Sequence, residues 1–489
     1  MAAVAEMRRE KDSLGYVEVP AGAYYGAQTQ RAVENYPISG MRAHPLLIRA
    51  MGMVKRAAAE ANWELGLLKD PDPTSAKTGQ MWGTRTWGTP ADAIIAAAQE
   101  VIEGKWDAEF VVDVFQAGAG VSFHMNANEV IANRANEILG GALGEYKFVH
   151  PNDHVNYGQS TNDVFPTAMR VATLLDLETL YPEIDALADA FARKGVEFDS
   201  VMKAGRTHMQ DAVPIRLGQE FAAYGVAVRK AGEFLRQAGD GLRELGLGGS
   251  AVGTGLNTHP EYRTKAVTNL SRISGQPLYP AEDLRWAMQS QASMGQVSGA
   301  LRGMALEMIR ISNDLRLLSS GPQTGFNEIH LPSLQPGSSI MPGKINPVMA
   351  ELAAMVSFQV VGNDTAVALA VQAGQLELNV MMPTMAYNVL QSITIMANML
   401  RQFTERCVVG ITANVERCQH YAESTIALAT ALNPVIGYAK AVELVKESVA
   451  SGKSIVALAR EKKVLSEKEL EEILDPKRMT EPGVPKKGS

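Results

Sequence analysis

Two stretches of apolar residues with helical spacing set the strongest limit on how this chain can fold. In the first, apolar side chains recur in alternating steps of three and four, at Met294, Val297, Leu301, Met304, Met308, Ile311, Leu315 and Leu318. This spacing puts them on one face of a helix that packs at a shallow angle against its neighbours. The same rhythm runs from Leu217 to Leu235, after Pro214 in what we predict to be the first helical turn. Both patterns predict long bundle helices.

Three further apolar-periodic stretches, 163–197, 347–372 and 384–406, are separated by Gly, Pro and Asn clusters and show no strand-like alternation. Aromatic residues make up only 6% of the chain, whereas Ala, Leu and Met are frequent, which also favours helices. We therefore predict an all-α subunit built on a central bundle of long helices. Such helices rarely bury every apolar face within one chain, so we expect an oligomer.

Charge and cysteine content exclude several classes of function. The net charge is −7 and the basic residues are scattered, so nucleic acid is not an expected partner. Two cysteines, Cys407 and Cys418, cannot form a disulfide framework, which favours a cytoplasmic location. The eight histidines show no metal-site spacing, so no metal is expected. We find no apolar stretch of the roughly 18 residues needed to cross a bilayer, so a membrane partner is not expected either.

Three segments cluster polar residues without periodicity and are predicted to be loops: 116–129, 151–163 and 335–346. Loops held by a rigid scaffold are common sites of chemistry. The stretch 69–90, rich in Gly, Thr and Pro, is predicted to be an inserted surface loop. The residues from 476 onwards are predicted to be a disordered tail.

The segment 337–347, GSSIMPGKINP, is the most informative part of the sequence. It resembles the Gly-Ser-Ser-x-Met-Pro-x-Lys-x-Asn signature of the fumarase/aspartase superfamily. Five further blocks resemble this family in the same order: AYYGAQTQRAVENYPISG, HPNDHVNYGQSTND, KAGRTHMQDAVPIRLGQEF, GTGLNTHPEY and NDLRLLSSGP. The resemblance covers nearly the full chain.

The resemblance implies a three-domain, mostly helical subunit that assembles into a homotetramer through its central bundle. The expected domains are 1–161, 162–416 and 417–489, the last being small, helical and followed by the tail. Each active site is expected to combine loops from three subunits around a small dicarboxylate substrate. No cofactor is expected, because the substrate carboxylate itself accepts the electrons that a departing proton leaves behind.

The resemblance also assigns roles to individual residues. Ser338 corresponds to the catalytic base. His208 corresponds to a catalytic residue near the leaving amine, and Glu351 to the residue that orients this histidine. The positions that correspond to substrate-binding residues are Ser160, Thr161 and Ser339 for one carboxylate, Lys344 and Asn346 for the other, and Asn162 and Thr207 near the amine. Met341, Val121 and His124 correspond to supporting positions.

A few positions bear on which reaction the chain catalyses. The segments around Asp364 and Gln375 resemble those of aspartases, because fumarases usually carry histidine at both positions. Val121 and His124 depart from both groups, which normally have threonine and asparagine there. A donor to the developing enediolate is therefore missing, and either His124 or water replaces it or the substrate differs at that end. Met382 favours neither group.

The leading prediction is an ammonia-lyase, a carbon–nitrogen lyase that converts L-aspartate, or a close derivative, to fumarate and ammonia. The alternatives are a fumarate hydratase and a carbon–nitrogen lyase with an altered substrate. A third possibility is a catalytically inactive structural protein on the same scaffold. Retention of Ser338, Lys344, Asn346, Thr161, Asn162 and His208 argues against that possibility.

Overall fold

The protein is mostly helical, as the periodicity predicted. The computed structural model describes residues 6–68, 81–82, 85–86 and 88–484 of the 489-residue chain. The helices are α1 (Ala27–Asn35), α2 (Pro45–Glu64), α3 (Pro90–Ile102), α4 (Val121–Ile138), α5 (Thr161–Glu197), α6 (Leu217–Asp240), α7 (Tyr262–Ser274), α8 (Leu284–Gln289), α9 (Ala292–Leu318), α10 (Val348–Gln372), α11 (Met382–Arg406), α12 (Val415–Ser424), α13 (Ala429–Ile436), α14 (Tyr438–Ser451), α15 (Ile455–Glu461), α16 (Glu467–Ile473) and α17 (Pro476–Met479).

Strands occur only in two-stranded pairs within the described residues. They are β1 (Met7–Asp12), β2 (Gly15–Pro20), β3 (Met81–Trp82), β4 (Arg85–Thr86), β5 (Met202–Thr207), β6 (Gln210–Arg216), β7 (Glu244–Leu245), β8 (Tyr279–Pro280), β9 (Ile329–His330) and β10 (Thr412–Ala413). The pairs β1–β2, β3–β4, β5–β6 and β9–β10 are antiparallel, and β7–β8 is parallel. The all-α class is confirmed.

The chain forms two compact units. The first comprises Met1–Leu180, Glu233–Gly303 and Gln359–Ile395, and in it α2 packs on α3 and α7. The second comprises Tyr181–Gly232, Met304–Phe358 and Met396–Ser489. Its C-terminal helices share an apolar core of leucine, isoleucine and alanine side chains. The three domains expected from the family resemblance differ from these two compact units, and that division stays a prediction.

The five long apolar-periodic stretches are all helices, namely α5, α6, α9, α10 and α11. The prediction for Pro214 was wrong. It lies in strand β6 opposite Ala204 and not in the first turn of α6, which begins at Leu217. A two-stranded hairpin has free edges, where the missing N–H of proline breaks no ladder hydrogen bond.

The predicted loop 116–129 is loop only in its first part, because α4 begins at Val121. The asparagines that made this segment look like a loop are buried inside the first unit and are hydrogen-bonded there. Asn126 donates to the carbonyl of Glu109 and accepts from the N–H of Val111. Asn136 in the same helix is bonded in the same way to residues 132, 148 and 149. A helix buried on nearly all sides has no amphipathic period to detect.

Helix α10 is an exception to the prediction that no apolar stretch is long enough to cross a bilayer. This 25-residue helix contains an 18-residue window with a mean hydropathy of 1.4, which makes it long and apolar enough to cross a membrane by length and composition alone. The helix carries Asp364 on its buried side, and this carboxylate accepts from Ser298 Oγ at 2.6 Å and from Arg302 Nη1 at 2.9 Å. A carboxylate fixed by two protein donors is typical of a bundle helix.

The chain end is more ordered than predicted. Helix α17 occupies 476–479, and the next residue, Thr480, accepts hydrogen bonds from Arg216 and Gln219. Residues 485–489 lie outside the described part of the chain, as do 69–80, 83–84 and 87 of the predicted insertion.

Candidate active site

The starts of helices α4 and α5 lie side by side in the first unit. The turn Gly118-Ala119-Gly120 leads into α4, with Ala119 at φ 59° and Gly120 at φ 82°. A side chain at Gly120 would also lie 2.2 Å from the ring of Phe165 in α5, so only glycine fits there. Both helices thus direct the positive ends of their dipoles towards the same region, which suits an anionic ligand.

A chain of hydrogen bonds connects these two helix starts to α2. His124 Nδ1 lies 2.7 Å from Thr161 Oγ1, and His124 Nε2 lies 2.6 Å from Lys55 Nζ. Lys55 also donates to Asn156 Oδ1 at 3.0 Å and to Gln159 Oε1 at 2.9 Å. Burial lowers the pKa of both Lys55 and His124 well below its ordinary value. The negative charge of Asp163 opposes the lowering of the Lys55 pKa, whereas Lys55 lowers the pKa of His124 further.

The neighbours of Thr161 are held by a buried carboxylate. Asp163 accepts from the N–H groups of Ser160, Gly248 and Ser250 at 2.9–3.0 Å. Burial raises the pKa of Asp163 to about 6, although these hydrogen bonds oppose the shift. Asn162 donates its amide to the carbonyl of Ala251 at 2.8 Å. Residues 160–162 are all partly exposed.

Val121, the first residue of α4, exposes 42% of its side chain beside this cluster. An apolar side chain therefore faces outward where the family usually places a hydroxyl.

The signature loop lies in the second unit and forms a compact turn. Ser338 Oγ accepts from the backbone N–H groups of Ile340 at 3.2 Å and Met341 at 3.0 Å. The N–H of Gly337 donates to the carbonyl of Lys344, and Asn346 Nδ2 donates to the carbonyl of Gly337 at 2.6 Å. The loop therefore presents Ser338 on two donors, which is the arrangement that stabilises an oxyanion.

Thr207 and His208 occupy the tip of the β5–β6 hairpin. Thr207 pairs with Gln210, so His208 and Met209 form a two-residue turn with φ of 56° and 60°. This turn leaves the His208 ring exposed at the tip. Below it, Arg206 forms an ion pair with the fully buried Glu328 at 2.8 Å, which anchors the end of β5.

The predicted site residues thus form three groups. The first unit holds Val121, His124 and 160–162, whereas the second holds the signature loop and the hairpin tip. Among the described residues, no hydrogen bond joins the His208 ring to Glu351, which lies in the first turn of α10. That contact, and the meeting of the three groups in one site, stay predictions.

Sequence reasoning missed Lys55. Its place in the Ala-rich stretch 54–61 resembles that of an ordinary surface lysine, yet it is fully buried. The available signal was its position on the apolar face of α2, between Met51 and Ala58, where a buried ammonium needs polar partners.

Comparison with known proteins identifies the family to which the chain is similar. The family model described as lyase matches residues 15–362, and that described as fumarase C C-terminus matches 428–481. An aspartate ammonia-lyase from Pseudomonas aeruginosa is 49% identical over 99% of this chain and 98% of its own. A class II fumarate hydratase from Halobacterium salinarum is 50% identical over 98% of both chains. The crystal structure of a cobalt-bound fumarate lyase/delta crystallin from Brucella melitensis is 47% identical, has a TM-score of 0.91, and aligns with 98% of this chain and 100% of its own.

Proposed function

This chain belongs to the fumarase/aspartase superfamily of lyases, and from this we propose that it eliminates ammonia from L-aspartate, or a close derivative, to give fumarate. The observation that supports the proposal is that Ser338 Oγ accepts hydrogen bonds from two backbone N–H groups. A free serine hydroxyl is too weak an acid to ionise unaided, and two aligned donors lower the cost of the alkoxide.

The reaction follows from where the charge develops. The Ser338 alkoxide takes the proton from the β-carbon, and the electron pair of the broken C–H bond moves onto the β-carboxylate as an enediolate. When the enediolate collapses, the carbon–carbon double bond forms and the C–N bond of the substrate's protonated amine breaks, so that its electron pair leaves with the nitrogen as ammonia. The proton held by Ser338 then returns to solvent, which completes the balance.

The charge on the enediolate requires donors that are already in place. Thr161 and Ser160, at the start of α5, are proposed to hold the β-carboxylate, together with Ser339 of the signature loop. The adjoining start of α4 adds its N–H groups and its helix dipole. Lys344 and Asn346 are proposed to hold the α-carboxylate.

The remaining predicted residues surround the amine. Asn162, Thr207 and His208 are proposed to contact this group, with Glu351 orienting the histidine from a neighbouring subunit. An exposed turn such as the hairpin tip can enter the site of another subunit without rearrangement of the fold.

Identity alone does not choose between the two reactions, because an aspartase and a fumarase are 49% and 50% identical to this chain. The choice of aspartase rests on Asp364 and Gln375, because fumarases usually carry histidine at these two positions. A test is to follow fumarate by its ultraviolet absorbance. Aspartate should yield fumarate, and fumarate should be consumed only when ammonia is supplied. Consumption of fumarate in ammonia-free buffer, with malate as product, would instead establish a hydratase.

The exposed Val121 favours one variation on this proposal, a substrate larger or less polar at the β-carboxylate end. N-substituted aspartates and aspartates modified at the β-carboxylate should be compared with aspartate in the same absorbance assay. A higher kcat/KM for one of them would identify the altered substrate.

The role of Ser338 has its own test. Ser338→Ala should lower kcat by about two to four orders of magnitude, because a general base is lost, while folding and assembly stay intact. Ser333→Ala is a control, since Ser333 is an exposed serine just before the signature loop. Substantial turnover by Ser338→Ala would exclude serine as the base.

We also propose that the enzyme is a cytoplasmic homotetramer whose sites are shared by three subunits. The long helices support an assembly, because large apolar side chains such as Phe234, Phe358 and Leu369 are 57–62% exposed in the single chain. Burying these faces against other copies is the natural way to cover them. Two buried free thiols fit a reducing compartment.

A further inference from the structure

Lys55 is a fully buried lysine, and its direct hydrogen-bonding partners are all uncharged groups. It contacts two amide oxygens and one ring nitrogen, those of Asn156, Gln159 and His124. The amide orientations are fixed, because Asn156 Nδ2 donates to the carbonyl of Gln159, and Gln159 Nε2 donates to that of Val155 at 3.0 Å. Both amide oxygens must therefore face Lys55 as acceptors.

This arrangement determines where the proton sits on His124. An ammonium group has three donors and no acceptor, so Lys55 can satisfy all three contacts only if His124 Nε2 offers a lone pair. The Nε2···Nζ distance of 2.6 Å is shorter than a neutral N–H···N contact and suits a charged donor. The neutral ring then carries its hydrogen on Nδ1 and donates it to Thr161 Oγ1 at 2.7 Å.

The hydroxyl hydrogen of Thr161 is consequently free to point elsewhere. If Lys55 were instead uncharged, His124 could donate through Nε2 and take the Thr161 hydrogen on Nδ1, so the hydroxyl would be occupied. Burial lowers the pKa of Lys55, and the charge of Asp163 opposes this shift. The short contact between Lys55 Nζ and His124 Nε2 is the observation that supports the ammonium form.

We propose that Lys55 and His124 are positioning residues that hold the Thr161 hydroxyl as a donor aimed at the substrate's β-carboxylate, in place of the donor that Val121 lacks. This inference rests on the proposed function for its substrate, but not for the proton on His124. Neither residue touches the reacting atoms. Their effect is to fix one hydroxyl hydrogen before the enediolate forms, which is where a prealigned donor contributes most.

The first test measures the proton on His124 in the wild-type protein and requires no turnover. In the 15N-histidine-labelled protein, the His124 resonances are assigned as those lost in His124→Asn. We expect a neutral ring with hydrogen on Nδ1 and a lone pair on Nε2. Hydrogen on Nε2, or on both nitrogens, would overturn the inference.

The second test separates positioning from packing. Lys55→Met keeps the length and apolar stem but removes all three donors, so kcat for aspartate should fall about a hundredfold while KM changes only a few-fold. His124→Asn should stay within about tenfold of wild type, because an amide can accept from Lys55 and donate to Thr161 at once. His124→Leu, which can do neither, should lose as much as Lys55→Met.

These variants also distinguish the two proposals. An active wild type with unchanged kcat in Lys55→Met or His124→Leu would refute the positioning role and leave the proposed function intact. A wild type with the expected His124 proton but no turnover of aspartate, its derivatives or malate would refute the proposed function instead. If Lys55→Met does not fold, the wild-type spectrum and the pair His124→Asn and His124→Leu still decide the question.

Discussion

At the scale of single residues, Val121 offers the most direct test of how the site handles charge. Valine and threonine have nearly the same shape, so Val121→Thr adds a hydroxyl donor at an exposed position without repacking. If the substrate's enediolate develops there, kcat/KM for aspartate should rise about tenfold or more. Steady-state kinetics would measure this, with Val121→Ala as a control that changes shape without adding a donor. Unchanged or lower turnover in Val121→Thr would remove the missing-donor argument.

Asp176 in α5 makes a second residue-scale prediction, about stability and pH. Its carboxylate is 3% exposed, and its two side-chain hydroxyl contacts, with Thr179 and Thr394, are both 3.4 Å long. Burial raises the pKa of Asp176 from 3.8 to about 6. The folded protein therefore holds this proton to higher pH than the unfolded chain does. Stability linked to Asp176 is present below about pH 4 and is lost as the pH rises through about 6.

Asp176→Asn should remove this loss, because the amide is neutral at every pH. The expected gain is on the order of 2–3 kcal/mol at pH 8 and close to zero at pH 4, measured from thermal unfolding midpoints. Asp189→Asn on the same helix is the control, since Asp189 is an exposed residue in a surface ion pair, and its effect should be small at both pH values. An equal gain at pH 4 would mean that charge is not the cause.

At the scale of elements, the close approach of α4 and α5 depends on Gly120. Both its φ of 82° and the 2.2 Å distance from an added Cβ to the Phe165 ring exclude other residues. Gly120→Ala should destabilise the protein by about 2–4 kcal/mol and displace the start of α4, since strain and overpacking add. Gly140→Ala isolates the contact, because Gly140 has a φ of 81° and open space around its Cβ position.

The comparison of these two glycine variants is made on thermal unfolding and on substrate binding. Only Gly120→Ala should also weaken substrate binding, because only this glycine adjoins the candidate site. Equal effects of the two substitutions would show that backbone strain alone matters at both positions.

Which elements could be predicted depended on how each helix is buried. Helices α9 and α6 each have one apolar face, so periodicity revealed them. Helix α4 is buried on most sides and lined with asparagines, so it resembled a loop until tertiary hydrogen bonds could be seen. The signature loop around Ser338 was predicted as a loop, because its glycines and prolines act locally. Lys55 could not be found in this way, since its partners lie about 70–100 residues further along the chain.

At the scale of the whole molecule, the sequence indicated long helices and an assembly but not which polar turns meet in one site. The start of α5 and the signature loop are each formed by local contacts, and each is complete within its own unit. Under the shared-site proposal, these two segments meet only when copies of the chain pack together, and no spacing along one sequence encodes that packing. A measurement on mixed assemblies can determine it.

Mixing two inactive variants tests whether Thr161 and Ser338 of one site come from different subunits. Thr161→Ala and Ser338→Ala should each retain no more than about 1% of wild-type activity alone, because one removes a carboxylate donor and the other the base. If the two residues come from different chains, random hybrid tetramers from an equal mixture contain intact sites at a frequency of about one quarter, the product of two independent halves. Co-refolding should then restore about a quarter of wild-type activity, whereas mixing without refolding should restore none. If both residues of a site come from the same chain, every hybrid site carries a substitution and activity stays absent, which would refute the shared-site proposal.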